Sequence, residues 1–157
     1  MGIVMTTSKE DLSRYFAERL RRINAALIME LQNAGEQCVN HAREVGSGNG
    51  FSDQTGNLRS SIGYVIYING RPYTSSGFKQ VTGPKGNNGE GSATGEKLAD
   101  KLASKYRKGI CLVVVAGMNY AYYVESKNRD VLSSAEHLAD KLIPDLLKQL
   151  SKNASKI

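Results

Sequence analysis

The chain has 157 residues, of which 40% are hydrophobic and 23% charged, and its formal net charge is +6. This length suits one domain with a sizeable core, and the ordinary composition excludes wholesale disorder. No apolar run approaches the ~18 residues of a membrane-spanning helix and no signal-peptide pattern opens the chain, so we expect no membrane partner. Residues 51–109 hold nine basic and four acidic side chains, so the positive charge is concentrated in the middle third.

A long helical pattern begins the chain. Thr7 or Ser8, each followed three positions later by an acidic residue, is typical of a helix N-terminus. The pattern predicts a helix over about residues 9–45, ended by the glycines of residues 46–50. Its apolar residues recur at spacings of four, four and three, a period that gives a nearly straight helix. They are Leu12, Phe16, Leu20, Ile23, Leu27, Leu31, Ala34, Cys38, Ala42 and Val45.

The length of this helix has a consequence for assembly. A continuous helix of this size spans roughly 54 Å, whereas a compact domain of this chain length is roughly 40 Å across. Part of the apolar stripe would therefore remain uncovered by the chain's own fold. Either the helix breaks near Gly35, or a neighbouring subunit covers the excess, and the second interpretation is the favoured one.

The periodicity changes at residues 55–62, which we call the joint. Its Thr55-Gly56-Asn57 turn supplies backbone that tolerates positive φ, and Leu58 and Arg59 follow at the mouth of a strand. Alternating apolar residues predict that strand over residues 60–69. The next segment, residues 70–95, is rich in glycine and polar residues, and its composition predicts a long flexible loop.

The second half of the chain predicts four more elements. An amphipathic helix is expected at residues 96–108. An apolar strand is expected at 110–116, either central in the sheet and buried on both sides or buried in an interface. Residues 120–125 are expected to return as a hairpin strand. The final helix covers about 133–152, with Pro144 kinking or restarting it. The whole predicts a single α+β domain over residues 1–157: a long N-terminal and a C-terminal helix packed on a small, mostly antiparallel sheet and loop region of about 52–131.

No catalytic, metal or cofactor site is visible in the sequence. His41 and His137 are isolated, and Cys38 and Cys111 lie in apolar patterns as expected for reduced core thiols. The glycine-rich loop misses the spacing of a phosphate-binding loop. We therefore expect no enzymatic activity and no cofactor, and a hydrolase is the third and least favoured hypothesis.

Two further patterns concern the sheet. Arg59 and Glu125 each close a predicted strand among apolar neighbours, so we expect them to form an ion pair. The tyrosines at 120, 122 and 123 are expected to fill a sheet face, although tyrosines beside basic residues could also stack on single-stranded nucleic acid.

The order of these pieces resembles a phage tail-component family, the head–tail joining or tail-completion proteins of the gene-ten-product type in lambda-like siphophages. The resemblance covers roughly residues 12–150. It departs at 51–54, where many relatives carry Pro, and in the long glycine-rich insertion. The matching residues are Thr55, Gly56, Leu58, Arg59, Ser61, Ile62, Tyr120, Ala121, Tyr123, Val124 and Glu125.

The resemblance implies an α+β fold, ring assembly around a tail tube or connector, and no catalysis. It implies a location in the virion tail or neck after assembly in the bacterial cytoplasm. We therefore expect a structural protein that forms a homo-oligomeric ring, with six subunits as the expected number and other phage tail or connector proteins as partners. The alternative is a small basic nucleic-acid-binding module that uses Lys97, Lys101, Lys105, Arg107 and Lys108.

Overall fold

A computed structural model describes residues 7–44, 50–76, 78–86 and 89–154. In chain order its elements are α1 (Lys9–Glu44), α2 (Asn57–Ser61), β1 (Ile62–Ile68), β2 (Arg71–Ser76), α3 (Glu90–Ala103), β3 (Ile110–Ala116), α4 (Ala121–Ser126) and α5 (Ser133–Ala154). The predicted α+β class is confirmed, with long helices near both ends of the chain and an antiparallel sheet between them.

The sheet has the order β2-β1-β3, and both pairings are antiparallel. The central strand β1 is almost entirely buried because helices cover both faces of the sheet. On one face its even-numbered residues, such as Ile62 and Tyr64, pack against α1 and the segment around α4. On the other face Val65 and Tyr67 pack against α3. The core therefore has two layers separated by the sheet.

Helix α1 is continuous through Gly35, which excludes the less favoured interpretation, a break near that residue. Gly35 is buried, and a Cβ atom there would lie 2.7 Å from the ring of Tyr64, which indicates that the absent side chain makes room for the tyrosine. At its start, the Ser8 hydroxyl accepts a hydrogen bond from the Asp11 amide at 3.1 Å, as the capping pattern predicts. The predicted glycine cap at 46–50 lies largely outside the described residues.

The prediction of one long loop over residues 70–95 is wrong at both ends of that segment. Strand β2 takes up its first part, and α3 begins at Glu90 instead of residue 96 and ends at Ala103 instead of 108. Between them, Phe78 packs into the α3 layer of the core. The glycines were interpreted as a source of flexibility, but Gly91 and Gly95 are buried inside α3 and permit close packing.

Two strand predictions also need correction. Among the described strands β3 pairs only with β1, so it is an edge strand rather than a central one. Residues 121–126 form helix α4 rather than a strand. The three-residue spacing of Ala121 and Val124 turns both toward the core, while Tyr122 is 84% exposed. Helix α5 continues through Pro144 without restarting.

Candidate assembly surface and the joint beside it

The N-terminal half of α1 projects beyond the core. No residue of 9–27, which we call the overhang, is buried, and Ile28 is the first buried residue of the helix. These 19 residues correspond to about 28 Å of helix. Along them Phe16 is 54% exposed and Leu20 is 59% exposed, with Leu12 and Tyr15 similarly open. An apolar stripe of this kind on a protein surface is typical of an interaction site.

The opposite side of the overhang is held in helical form by local ion pairs. Arg21 and Arg22 both donate hydrogen bonds to the Glu18 carboxylate, at 2.9–3.0 Å. These bonds lower the pKa of Glu18 to about 2. Asp11 and Arg14 form a further pair at 3.2 Å. Such pairs at spacings of three and four stabilise a helix that receives little support from packing.

Helix α5 packs along α1 and covers part of the same stripe. The Cys38 thiol contacts the Ala135 carbonyl at 3.7 Å, and Leu31 shares a cavity with Ala139 and Ile143, so the two helices run antiparallel. At 1.5 Å per residue, the end of α5 is level with roughly residue 19 of α1. Beyond Ala135 none of the described α5 side chains is fully buried. The helix pair therefore presents one continuous, half-covered apolar face.

The joint links this helix pair to the sheet. Gly56 has φ 80, the left-handed conformation that the sequence predicts, and a Cβ atom there would overlap the Val81 carbonyl oxygen. The Asp53 carboxylate accepts hydrogen bonds from the amides of Gly56, at 2.8 Å, and Arg59, at 2.7 Å. Leu58 is buried in the α1 layer of the core. Asn57 is helical instead of left-handed, because the turn ends in the short helix α2.

Arg43 fastens the end of α1 to the joint. Its guanidinium donates to the carbonyls of Arg59, at 3.1 Å, and Ile62, at 2.8 Å, and also to Lys79 at 3.3 Å. Burial lowers the pKa of Arg43 while the nearby Glu36 charge opposes that change. The Arg43 cation thus satisfies backbone carbonyls of α2, of β1 and of the loop that follows β2. The sequence analysis missed this residue because its partners are distant along the chain.

Two hydroxyl groups extend this network across the joint. The Ser60 hydroxyl donates to the Gly56 carbonyl at 2.7 Å and accepts from the Val81 amide at 2.8 Å. The Ser61 hydroxyl donates to the Leu58 carbonyl at 2.8 Å. Both serines are fully buried. Because buried polar groups are costly unless they are paired, these bonds fix the position of the short helix α2.

Helix α3 lies against α2 at backbone distance. A Cβ atom at Gly91 would overlap the Asn57 carbonyl, and one at Gly95 would overlap the Phe78 ring and approach the Ser61 carbonyl. The spacing of four between the two glycines places them on one face of the helix. That spacing was a usable sequence signal for close helix packing, but the sequence analysis tested the glycines only for phosphate binding.

Among the described residues, Arg59 and Glu125 form no ion pair within 4 Å, so the predicted ion pair is wrong. The Arg59 guanidinium carbon lies 5.6 Å from the centre of the Phe51 ring, and its buried Nε has no hydrogen-bond partner within the described part of the chain. A cation over an aromatic face is itself favourable. Arg59 is therefore held by an aromatic ring instead of a carboxylate.

Glu125 caps the last helix. Its Oε1 accepts hydrogen bonds from the amides of Leu132, at 3.2 Å, and Ser133, at 2.8 Å, and from the Ser133 hydroxyl at 2.7 Å. Burial alone would raise the pKa of Glu125, but these hydrogen bonds and one from the Val131 amide outweigh burial and hold its pKa below the ordinary value. A carboxylate at a helix N-terminus also interacts favourably with the helix dipole.

The two predicted tyrosines lie on either side of the start of α4. Tyr120 immediately precedes the helix. Burial raises the pKa of Tyr120, and so do the negative charges of Asp53 and Glu90. Because Asp53 binds the joint, Tyr120 lies near it. Tyr123 is 62% exposed and lies under the ammonium of Lys127, at 5.3 Å from the ring centre. The predicted sheet face of tyrosines at 120, 122 and 123 is therefore wrong, because Tyr122 and Tyr123 are helical and Tyr120 immediately precedes the helix.

The predicted basic face is exposed and runs along one segment. Lys97 and Lys101 lie on the solvent side of α3, and Lys105, Arg107 and Lys108 follow in the turn that leads to β3. Within the described residues, no acidic side chain forms an ion pair within 4 Å of the lysines of this segment. In the ranges that the structure describes, no group of three or more His, Cys, Asp or Glu side chains is placed to hold a metal ion. None of the described helices is both long and apolar enough to cross a membrane.

A cavity of about 510 Å³ opens between α5, α1 and β3. Its wall is almost wholly apolar and includes Leu31, Ile110, Leu112, Val114 and Ile143, with Glu136 as its charged member. No sequence pattern predicted this cavity.

Comparisons with protein-family models, curated proteins and solved structures found no match to this chain.

Proposed function

We propose that the chain is a non-enzymatic structural protein that works by self-association, of the kind found in phage tails as head–tail joining or tail-completion components. The observation that supports this proposal is the overhang. A continuous 36-residue helix whose first half holds exposed Leu12, Phe16 and Leu20 has an apolar stripe that its own fold leaves uncovered. Burying apolar area is the main favourable contribution to protein association.

The arrangement of the molecule favours a repeated, side-by-side contact. The overhang projects from one end, while the joint holds α1 to the sheet through Arg43 and fixes the direction in which the helix leaves the core. A rigid projection that contacts a different surface of the next copy makes a heterologous interface, and such interfaces generate rings when the rotation closes. We infer a ring, with six subunits as the expected size, located in a virion tail or neck and assembled in the bacterial cytoplasm with other tail or connector proteins.

The test is the oligomeric state of a variant in the overhang. Phe16→Glu should shift the protein toward monomer in light scattering and native mass spectrometry, because the new charge would be buried in the interface. Ala25→Glu is the matched control: it adds the same charge at an exposed position on the opposite face of the same helix. A wild-type chain that stays monomeric at high concentration, or equal assembly of both variants, would refute self-association through this stripe.

A nucleic-acid-binding module is the second candidate. The observation in its favour is the exposed basic segment of Lys97, Lys101, Lys105, Arg107 and Lys108, with Tyr106 also 58% exposed. Contacts to phosphates release counterions, so this function predicts binding to single- or double-stranded DNA that weakens steeply as salt rises. The absence of any DNA-dependent mobility shift at low ionic strength would eliminate it.

A further inference from the structure

One edge of the sheet has unused hydrogen-bonding groups. The Asn69 amide donates to the Gly109 carbonyl at 2.8 Å, and the Gly117 amide donates to the Ser61 carbonyl at 3.1 Å. Backbone groups alternate in direction along an antiparallel strand. The odd-numbered residues of β3 therefore direct their amides and carbonyls toward β1. Residues 110, 112, 114 and 116 therefore direct their amides and carbonyls away from β1, toward an edge that no described strand occupies.

The two edges of the sheet differ in how they are protected. The outer strand β2 carries Pro72 opposite Tyr67, where its nitrogen points away from β1, and its pairing with β1 is irregular next to that position. Proline and bulges at an edge are common devices that prevent further strand pairing. Strand β3 has neither: its sequence Ile-Cys-Leu-Val-Val-Val-Ala is apolar and uncharged. Only the β3 edge is open to another strand.

The helical layer extends past this open edge. Helix α1 packs on both β1 and β3, and α5 packs on α1. Neighbouring helices lie about 8–10 Å apart and neighbouring strands about 4.8 Å apart, so α5 lies about two strand spacings from α1. This places α5 roughly above the position of a strand beyond β3. The cavity of about 510 Å³ lies between α5, α1 and the side chains of Ile110, Leu112 and Val114 of β3.

We propose that this groove, formed by the free edge of β3 and the inner side of α5, accepts an extended segment of another protein as a fourth strand. Strand addition of this kind takes affinity from main-chain hydrogen bonds and specificity from pockets for alternate side chains. Here Leu112 and Val114 supply two main-chain donors and two acceptors, of which the Leu112 carbonyl also accepts a weak hydrogen bond from the Cys111 thiol at 3.8 Å. The apolar groove selects a segment of about seven residues that is uncharged and has branched aliphatic side chains at alternate positions.

A second copy of this chain fits the groove less well than a foreign segment. Its β2 edge is closed by Pro72. A two-fold pairing of two β3 strands would bring each copy's α5 over the sheet of the other, where α1 already lies. The inference is independent of the tail-type function proposed above, because it rests on the edge of β3 and the cavity and not on the overhang.

The experiment measures amide hydrogen exchange by NMR on the ¹⁵N-labelled full chain. The probe is an acetylated and amidated heptapeptide of alternating threonine and valine. In the free protein, the amides of Leu112 and Val114 should exchange much faster than those of Val113 and Val115. With saturating peptide, exchange at Leu112 and Val114 should slow by about tenfold or more, because each amide gains a hydrogen-bond partner. Exchange at Val113 and Val115 should not change.

Two controls make the test specific. The same peptide with proline at its central position lacks one main-chain donor and should give no protection. The variant Ala139→Phe adds a ring to the α5 wall of the groove and should abolish protection, while Lys141→Phe adds the same ring at an exposed position of α5 and should retain it. Unchanged exchange at Leu112 and Val114 in folded wild-type protein would overturn the proposal. The proposal would also be overturned if the peptide changed the NMR chemical shifts of the methyl groups that line the cavity without slowing amide exchange at Leu112 and Val114. That result would indicate a pocket for small apolar molecules.

Discussion

At the scale of single residues, the joint depends on a glycine that no other residue can replace without cost. Gly56 has φ 80, and its α-carbon lies directly against the backbone of residues 81–83. The left-handed conformation costs other residues about 1–2 kcal/mol, and the overlap with the Val81 carbonyl adds to that cost. The close approach is what allows the Val81 amide to reach the Ser60 hydroxyl at 2.8 Å.

Gly56→Ala should therefore destabilise the chain by about 3 kcal/mol or more, measured by urea unfolding. Gly86→Ala is the matched control: Gly86 also has positive φ, at 86°, but a Cβ atom there would have nothing within 4 Å. We expect Gly86→Ala to lower the free energy of unfolding by about 1 kcal/mol, because an alanine there carries only the cost of the left-handed backbone conformation. Equal losses for the two variants would show that the contact with Val81 contributes nothing.

At the scale of elements, α5 is fastened at its start and loosely covered along the rest of its length. Ala135 is buried and contacts Cys38, whereas the leucines that follow are half-buried or exposed. The carboxylate of Glu125 satisfies amides at the N-terminus of the helix that would otherwise lack partners. Glu125 is therefore a main determinant of where α5 begins and how firmly its first turn is held.

Glu125→Gln should weaken the first turn of α5 and destabilise the chain by about 1 kcal/mol at neutral pH. Because the pKa of Glu125 is lower in the folded chain than in the unfolded one, its contribution is present above the unfolded pKa and is lost as the pH falls through the folded pKa. The difference between wild type and Glu125→Gln in urea unfolding should therefore shrink as the pH drops below about 4.

Glu136→Gln is the control for this pH series, since Glu136 is an exposed acidic residue in the first turn of the same helix. It should cost less than Glu125→Gln, because Glu136 has only its charge interaction with the helix dipole to lose. A difference between wild type and Glu125→Gln that stays constant from neutral pH down to pH ~3 would contradict the capping role, because protonation should remove it.

At the scale of the whole molecule, the fold consists of a well-packed sheet with a helix pair that the core covers only at one end. Strand β1 is almost fully buried, while residues 9–27 of α1 contain no buried residue. Any partner that binds the folded chain, including another copy, stabilises it by mass action. The stability of a chain that self-associates through the overhang should therefore depend on its concentration.

A hundredfold rise in protein concentration should raise the Tm of the wild-type chain by at least about 3 °C, as measured by calorimetry. The Phe16→Glu variant should lose most of this dependence, and Ala25→Glu should keep it. A wild-type Tm that is independent of concentration would argue against assembly through the overhang.

Hydrophobic periodicity in the sequence was enough to predict α1 at 9–45, β1 at 60–69 and α5 at 133–152. The structure has them at Lys9–Glu44, Ile62–Ile68 and Ser133–Ala154. The glycine turn at Gly56 was also predictable, because positive φ is a local property. These features depend on neighbours along the chain, where a sequence pattern is informative.

Only the tertiary structure decided the features that depend on distant residues. Residues 121–126 are helical and follow the point at which the chain leaves β3, where the Gly117 backbone packs against that of Gly95. The partner of Glu125, the edge position of β3 and the close packing at Gly91 all depend on which elements meet in three dimensions. The sequence by itself determined β1, α5, the turn at Gly56 and the unusual length of α1. Packing decided that the N-terminal half of α1 projects beyond the core with α5 covering only part of it, and that no described strand pairs with the outer edge of β3.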